Sequence, residues 1–393
     1  MQECLHTQAR ILASMHTRHA GPDPEILDEN LRPRLKIETI LLPRTEHTYV
    51  GRCDWGLEVS SPARGALAFM DGTRTCIELG QALGIPLSQI VALVKELDQV
   101  NLIDTHTSRI SVHTRFHSPN ANRASHDSDD SNDGAFHQLQ AKLLPELSST
   151  TWLKNVRDGG VGAVSHRSDW AVSIYGQSRI ATLLYGILLS SGISRTSLYG
   201  GDERKKIAEE DLCAGFLHSG DIGLSFGNRT HELARELSLF PISSPSHASI
   251  KEGFEKSQHI MVSVGNPPAD EVQRWMSEGV THLFIDSPEN ASISVGPIVI
   301  PGQTPCARCI AMTREDQMPT WREIALQKLM SPPKEVPVAI AHHVAGVVAL
   351  ELLHFIDEGQ STLIGSTARV NYHRPISSEQ QTFSRHPACG CNW

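Results

Sequence analysis

Trp170–Ala181 reads W-A-V-S-I-Y-G-Q-S-R-I-A, an apolar run that ends at a glycine and opens a second apolar run. The first half has the length and residue types of a buried strand, and Ile180 onward continues at helical spacing to about Ser191. Glycine at the junction lets main chain approach a phosphate at a helix N-terminus. Here Gly176 is kept, while Ser178 and Ala181 stand where two further glycines of a dinucleotide fingerprint would be. Downstream, strand-like and helix-like segments alternate. Thr196–Tyr199, Ile260–Val264, His282–Ile285 and Ser294–Ile300 read as strands. His231–Leu239, residues 269–278 and Pro337–Phe355 read as helices. That alternation predicts an α/β domain over 169–393 with a parallel, doubly wound, Rossmann-like sheet.

Two cysteine pairs follow the last of these strands, Cys306 and Cys309 in P-C-A-R-C and Cys389 and Cys391 in H-P-A-C-G-C. Zinc prefers a tetrahedron of thiolates, and C-x-x-C and C-x-C turns each supply two from one loop. The expectation is a structural zinc site that closes the fold and has no open position for chemistry. The other cysteines, Cys4, Cys53, Cys76 and Cys213, are scattered, as suits a reducing cytoplasm.

Upstream, 30–110 forms a different pattern. Lys36–Leu42 and Trp55–Ser60 read as strands, and Pro62–Met70, Cys76–Leu83 and Leu87–Gln99 as helices. Leu87, Ile90, Val91, Val94 and Leu97 recur at helical spacing behind the Gly84-Ile85-Pro86 break. A hairpin followed by three helices is a winged-helix arrangement. The third helix carries Lys95, Glu96 and Asp98 and no basic stripe, so nucleic acid is not the expected partner. Between the two domains, 111–168 is a connector whose acidic run 117–134 is expected to be disordered. The whole chain has 393 residues, 39% apolar and 20% charged, and a formal net charge of −9. It has no signal-peptide layout and no run of about 20 apolar residues, so a cytoplasmic protein without a membrane span is expected.

The run L-L-P, W-G-L-E, F-M-D-G-T-R-T, L-G-I-P and V-A-L-V-K-E-L within 41–97 resembles the PqqD-like recognition element of peptide natural-product pathways. The resemblance implies that the leader of a ribosomally made precursor peptide adds a strand beside the third helix. The residues implicated are Trp55, Leu57, Glu58, Val59, Ile90, Val91 and Val94. The segment 170–393, with V-G-P-I-V-I-P-G-Q-T-P-C-A-R-C and H-P-A-C-G-C, resembles the ThiF-like adenylating family related to ubiquitin-activating enzymes, in its cyclodehydratase-associated branch. Active members of that family hold ATP. Here Tyr199-Gly200-Gly201 precede Asp202 where a ribose-holding Asp is expected. Asp211-Leu212-Cys213-Ala214-Gly215 replaces an Asn-Leu-x-Arg-Gln stretch, Leu224 a lysine, and Gly265-Asn266 a magnesium-holding Asp. Adenylyl transfer needs cations on the phosphates. Gly176, Ser178, Arg179, Ala181 and Asp202 thus read as a degenerate nucleotide site, expected to bind ATP weakly or not at all. The function implied is a non-catalytic adaptor, expected to be a homodimer, that presents a leader to a YcaO-type cyclodehydratase for azoline formation. An ATP-dependent adenylating enzyme acting on a peptide or carrier C-terminus and a stand-alone peptide sensor remain alternatives.

Overall fold

A computed structural model describes residues 30–60, 62–105, 142–154, 156–239, 258–289, 292–330, 335–375 and 379–392. The acidic run 117–134 lies outside them. The chain divides into two compact units, one through Ser165 and one from His166.

In the first unit, β1 (Arg34–Leu35) pairs antiparallel with β5 (Ile103–Asp104). The strands β2 (Ile40–Pro43), β3 (Thr48–Gly51) and β4 (Gly56–Val59) form an antiparallel meander. A 3-10 helix at Pro62–Phe69, α1 (Cys76–Leu83) and α2 (Leu87–Gln99) follow. Thr75 caps α1 by accepting from Glu78 N–H while the Glu78 carboxylate accepts from Thr75 N–H, and Gly84 ends it in the left-handed region. Val50, Val59, Leu67, Leu79, Ile90, Leu93, Val94 and Leu97 make the core.

Two expectations for this unit change. Lys36–Leu42 is not one strand, because the chain turns at Glu38, whose φ is 66°. A third strand, β3, also lies where no strand was expected. The turn sends Lys36 inward, where its ammonium donates to Asn101 Oδ1 at 2.7 Å and to the carbonyls of Val156 and Thr151. Asp104 lies 4.0 Å away. Burial pushes the Lys36 ammonium down to about 8, against the pull of Asp104.

The second unit holds β6 (Ala171–Tyr175), β7 (Arg195–Tyr199), β8 (His259–Val264), β9 (Thr281–Ile285), β10 (Ser292–Val299), β11 (Ser366–Asn371) and β12 (Glu379–Thr382). Their order across the sheet is β12-β11-β10-β9-β8-β6-β7. Only β7, β6, β8 and β9 are parallel, and β10 to β12 are added antiparallel. The sheet is therefore mixed, where a parallel one was expected. β10 returns from β9 through a short connection, and a parallel crossover needs about a dozen residues. The helices are α3 (Arg179–Ser190), α4 (Phe226–Leu237), α5 (Ala269–Glu278), α6 (Ala307–Gln317), α7 (Trp321–Met330) and α8 (Val338–Glu358).

The core is made where α3 and α8 lie against one face of β6, β8, β9 and β10. On length and composition α8 could cross a membrane, but Ile340, Val344, Val348, Leu352 and Phe355 are packed in this core. Arg167 and Asp357, both nearly fully buried, form a bidentate pair at 2.9 and 2.7 Å, and Arg167 also donates to Ser191 O.

On the opposite face, His282 is fully buried and meets Trp275 and Phe284 at ring distances of 5.7 and 5.3 Å. Its Nδ1 lies 2.8 Å from Val280 O, and its Nε2 is buried without a partner among the described residues. The ring is thus a neutral Nδ1–H tautomer, since a second N–H would have no acceptor. Burial holds its titration down to about 4. The unfolded chain takes this proton near pH 6.5 and the folded chain only near 4, so stability present above pH 6.5 is lost as pH falls through that window. The gap corresponds to on the order of 3 kcal/mol. We expect His282→Phe, which keeps the ring contacts, to flatten the fall in urea midpoint between pH 7 and pH 4.5. An unchanged slope would refute the assignment.

Candidate functional site

β6 ends at Gly176, whose N–H donates to Tyr199 O at 2.9 Å. A Cβ at Gly176 would lie 2.8 Å from Val264 O, and φ is 128°, so only glycine fits there. Ser178 is extended and caps α3, accepting from Ala181 N–H at 3.3 Å. Gly176, Ser178, Arg179 and Ala181 are thereby brought together at the N-terminus of α3. Asp202 joins them through Gln177, whose amide donates to Asp202 O at 2.9 Å and accepts from Asp202 N–H at 3.1 Å.

Two of the positive groups at this end, Lys205 and Arg179, are engaged from within the chain. Lys205 donates to Gln177 O at 2.9 Å and to Asp211 Oδ1 at 2.6 Å. Arg179 donates from Nη1 to Val336 O at 2.8 Å. The main-chain N–H of Arg179, where a phosphate oxygen would be held in a working fingerprint, is directed at Glu335 Oε2 at 3.4 Å. Burial raises the Glu335 carboxyl, while the Arg179 N–H and the Lys205 charge lower it. Asp211 also accepts from Ala208 N–H, and Asp221 is bound by Arg229 Nε at 2.6 Å. Leu224 and Asn266 are exposed and bring no charge. The roles of Lys205 and Glu335 were missed in the sequence. Glu335 is separated from Arg179 by 156 positions, and no local pattern joins them.

The four expected cysteines converge. Their Sγ atoms all lie within 4.8 Å of one another, with Cys306–Cys309 at 3.8 Å, Cys306–Cys389 at 3.7 Å and Cys309–Cys391 at 3.3 Å. A tetrahedron with metal–sulfur distances of about 2.3 Å has edges of about 3.8 Å. The cluster can therefore hold a metal ion, and its donors and spacing are compatible with zinc. Cys306 stands at the N-cap position of α6 without a side-chain cap bond, so the first pair is presented by a helix N-terminus, and burial pushes the Cys306 thiol up. Burial opposes ionisation of Cys309, yet the N–H groups of His386 and Cys306 and the neighbouring thiols hold it down to about 7.

In the first unit the implicated residues separate by depth. Val59, Ile90 and Val94 are core, at 2%, 0% and 0% exposure, and support the surface from beneath. Val91 and Leu57 are half-buried, and Glu58 is exposed. Trp55 is also exposed and meets Trp152 edge to face at 6.3 Å. The turn bond from Arg52 N–H to Trp55 O fixes the ladder parity: Leu57 and Val59 bond to β3, while Gly56 and Glu58 turn their N–H and C=O to the outer edge of β4. By the same parity, set by Arg44 N–H to His47 O, β2 turns Leu41 and Pro43 outward, and Pro43 has no N–H. Among the described residues, the outer edge of β4 is unpaired.

A cavity of about 610 Å³ flanks β7, beside Ser197, Tyr199, Phe226, His259 and Trp275. Its Glu271 and Arg274 neutralise each other at 2.5 Å.

No family model matches the chain, and no curated protein matches it. Solved structures do match. E. coli MccB with AMPCPP and MccA covers 92% of this chain and 99% of its own at 14% identity and TM-score 0.58. The microcin C7 biosynthetic enzyme MccB in complex with N-formylated MccA gives the same figures. PaaA matches 88% of this chain and 99% of its own at 14% identity and TM-score 0.54. The MccB match leaves out less of the chain than either unit holds, so both units take part in it. At this identity the likeness shows the fold, which is ThiF-like.

We expect the purified protein to carry about one zinc per chain. Cys389→Ser should lower metal content and melting temperature together, since a structural zinc contributes on the order of 10 kcal/mol to folding. Undiminished stability in metal-free protein would eliminate the site.

Proposed function

We propose that the chain is a peptide-binding adaptor on a ThiF-like fold. It takes the leader of a ribosomally made precursor peptide as an added strand on β4 and presents that peptide to a YcaO-type cyclodehydratase. The partner subunit would use ATP to turn Cys, Ser or Thr of the peptide into azolines. The observation that carries the reading is the outer edge of β4, where Gly56 and Glu58 turn outward main-chain donors and acceptors that no described residue engages, beside Trp55, Leu57 and Val91. Strand addition draws affinity from such groups and specificity from flanking apolar side chains. The donor that Pro43 withholds from the edge of β2 and the engagement of Lys205 and Arg179 within the chain support the same reading.

Glu58→Pro removes an outward donor and leaves the β3 ladder intact, whereas Leu57→Pro removes an inward one. We expect Glu58→Pro to keep the circular dichroism spectrum and weaken binding of a neighbour-encoded leader about fivefold, near 1 kcal/mol. Leu57→Pro should unfold the unit. Salt should change the affinity only modestly, because the contacts are main-chain and apolar. Equal affinity of folded Glu58→Pro and wild type, read by fluorescence anisotropy, would rule out strand addition at β4.

A second reading is an adenylating enzyme, favoured by the likeness to MccB, which has been solved with ATP at TM-score 0.57. ATP–pyrophosphate exchange that depends on magnesium and disappears in Gly176→Asp would establish that reading in place of the non-catalytic one.

A further inference from the structure

The stretch that carries Trp152 is tied into the first unit by bonds from several of its elements. Buried Lys36, just after β1, donates to the carbonyls of Thr151 and Val156. Asn101, just after α2, donates its amide to Trp152 O at 3.3 Å and to Leu153 O at 3.4 Å. Thr105, just after β5, donates its N–H to Arg157 O at 3.0 Å, and Arg157 pairs with Asp98 of α2 at 2.7 Å. These bonds hold the main chain of Trp152 in place, and its half-buried ring packs against the same core as Leu57. The Arg52 guanidinium lies over that ring at 5.0 Å and is steadied by Asp54 at 3.4 Å. Trp55 meets the ring edge to face, at 6.3 Å and 86°.

Trp55 directly precedes Gly56, the first residue that β4 turns outward. By the two-residue period of a strand, Trp55 shares its face with Leu57 and Val59, the face that covers the core. A strand added at the outer edge of β4 lays alternate side chains on that same face. One of them falls beside Leu57, and the next on that face falls beside Trp55. There Trp55 is 38% exposed, with Trp152 standing at a right angle to it. Two rings so arranged bound a notch with one flat wall and one edge, which matches the face and edge of a third aromatic ring.

We infer that Trp152 is a specificity-determining residue of the peptide site: with Trp55 it forms a notch at the Gly56 end of β4 that takes an aromatic side chain of the added strand. The inference rests on the strand-addition reading and deepens it. It assigns the bound peptide a pattern: an apolar residue beside Leu57 and an aromatic residue beside Trp55, with one residue between them turned to the other face. It also gives the anchored stretch around Trp152 a part in recognition beyond joining the two units.

The test uses full-length protein and a displayed library of random peptides. Selection on wild type should enrich binders that carry an apolar and an aromatic residue separated by one position, and their affinity should fall in Glu58→Pro. Trp152→Leu keeps apolar bulk on the core and removes the ring; circular dichroism and a melting transition confirm its fold. By fluorescence anisotropy, an enriched peptide should bind Trp152→Leu about tenfold more weakly than wild type. The same peptide with its aromatic residue replaced by Ala should bind the two proteins within about twofold of each other, which couples the loss to that side chain. A purely structural role for Trp152 would weaken both peptides equally. Equal losses for the two peptides, or enriched binders that lack the aromatic residue, with Glu58→Pro still weakening them, would disprove the notch and leave strand addition standing. Binders indifferent to Glu58→Pro, or no binders at all, would overturn strand addition and the notch with it.

Discussion

The second unit is organised by how closely its main chain must pass itself at Gly176. β6 has to end against the Val264 carbonyl, at a distance that no side-chain carbon tolerates. That contact places the first turn of α3 at the carboxyl edge of the parallel strands. Everything around the crevice follows: the cap from Ser178, the hold of Gln177 on Asp202, and the approach of Glu335. A doubly wound sheet puts its crevice here because helices leave the strands in both directions. Within this geometry Lys205 and Arg179 are engaged by groups of the chain itself. Backbone shape and site chemistry are set by different residues, so the two can part company.

Much of the fold was legible because it is written in short-range periods. The apolar run of 170–175, the helical spacing of 180–190 and the Ala- and Val-rich run of 338–358 each have one period and one partner face. The strand at Thr48–Gly51 was not legible. T-Y-V-G is four residues long, ends at a glycine and has only Val50 as a deeply buried apolar residue. Lys36 hid the turn at Glu38, since nothing in K-I-E-T says that a lysine will be buried. Its partners come from Asn101, Thr151 and Val156, which only tertiary folding assembles. The antiparallel strands β11 and β12 are amphipathic or polar, and no alternation marked them.

The sites differ in legibility for a related reason. Thiol pairs announce themselves because metal geometry restricts both residue type and local spacing. The cluster then only has to join two loops, and Cys306, Cys309, Cys389 and Cys391 do so. A peptide-binding edge depends on which main-chain groups point outward. That parity is invisible until one turn hydrogen bond, Arg52 to Trp55, is known. The sequence named Ile90 and Val94 beside Val91, and burial assigns the first two to the core. The carboxylate near α3 is the least legible element of all, because a single glutamate in P-P-K-E-V-P carries no pattern.

The asymmetry between the two edges of the β2-β3-β4 meander bears on self-association. A small sheet with two open edges can add a neighbour on each side and so propagate into a filament. Pro43 withholds a donor on one side, while Gly56 and Glu58 leave the other complete. Copies meeting through this sheet would join edge to edge across a two-fold axis and stop there, with both complete edges consumed. Growth beyond a pair through this sheet would have to use the β2 edge, where Leu41 turns its main chain outward and Pro43 offers only a carbonyl. The proline thus weakens that second edge by one donor, which an Ala at that position would restore.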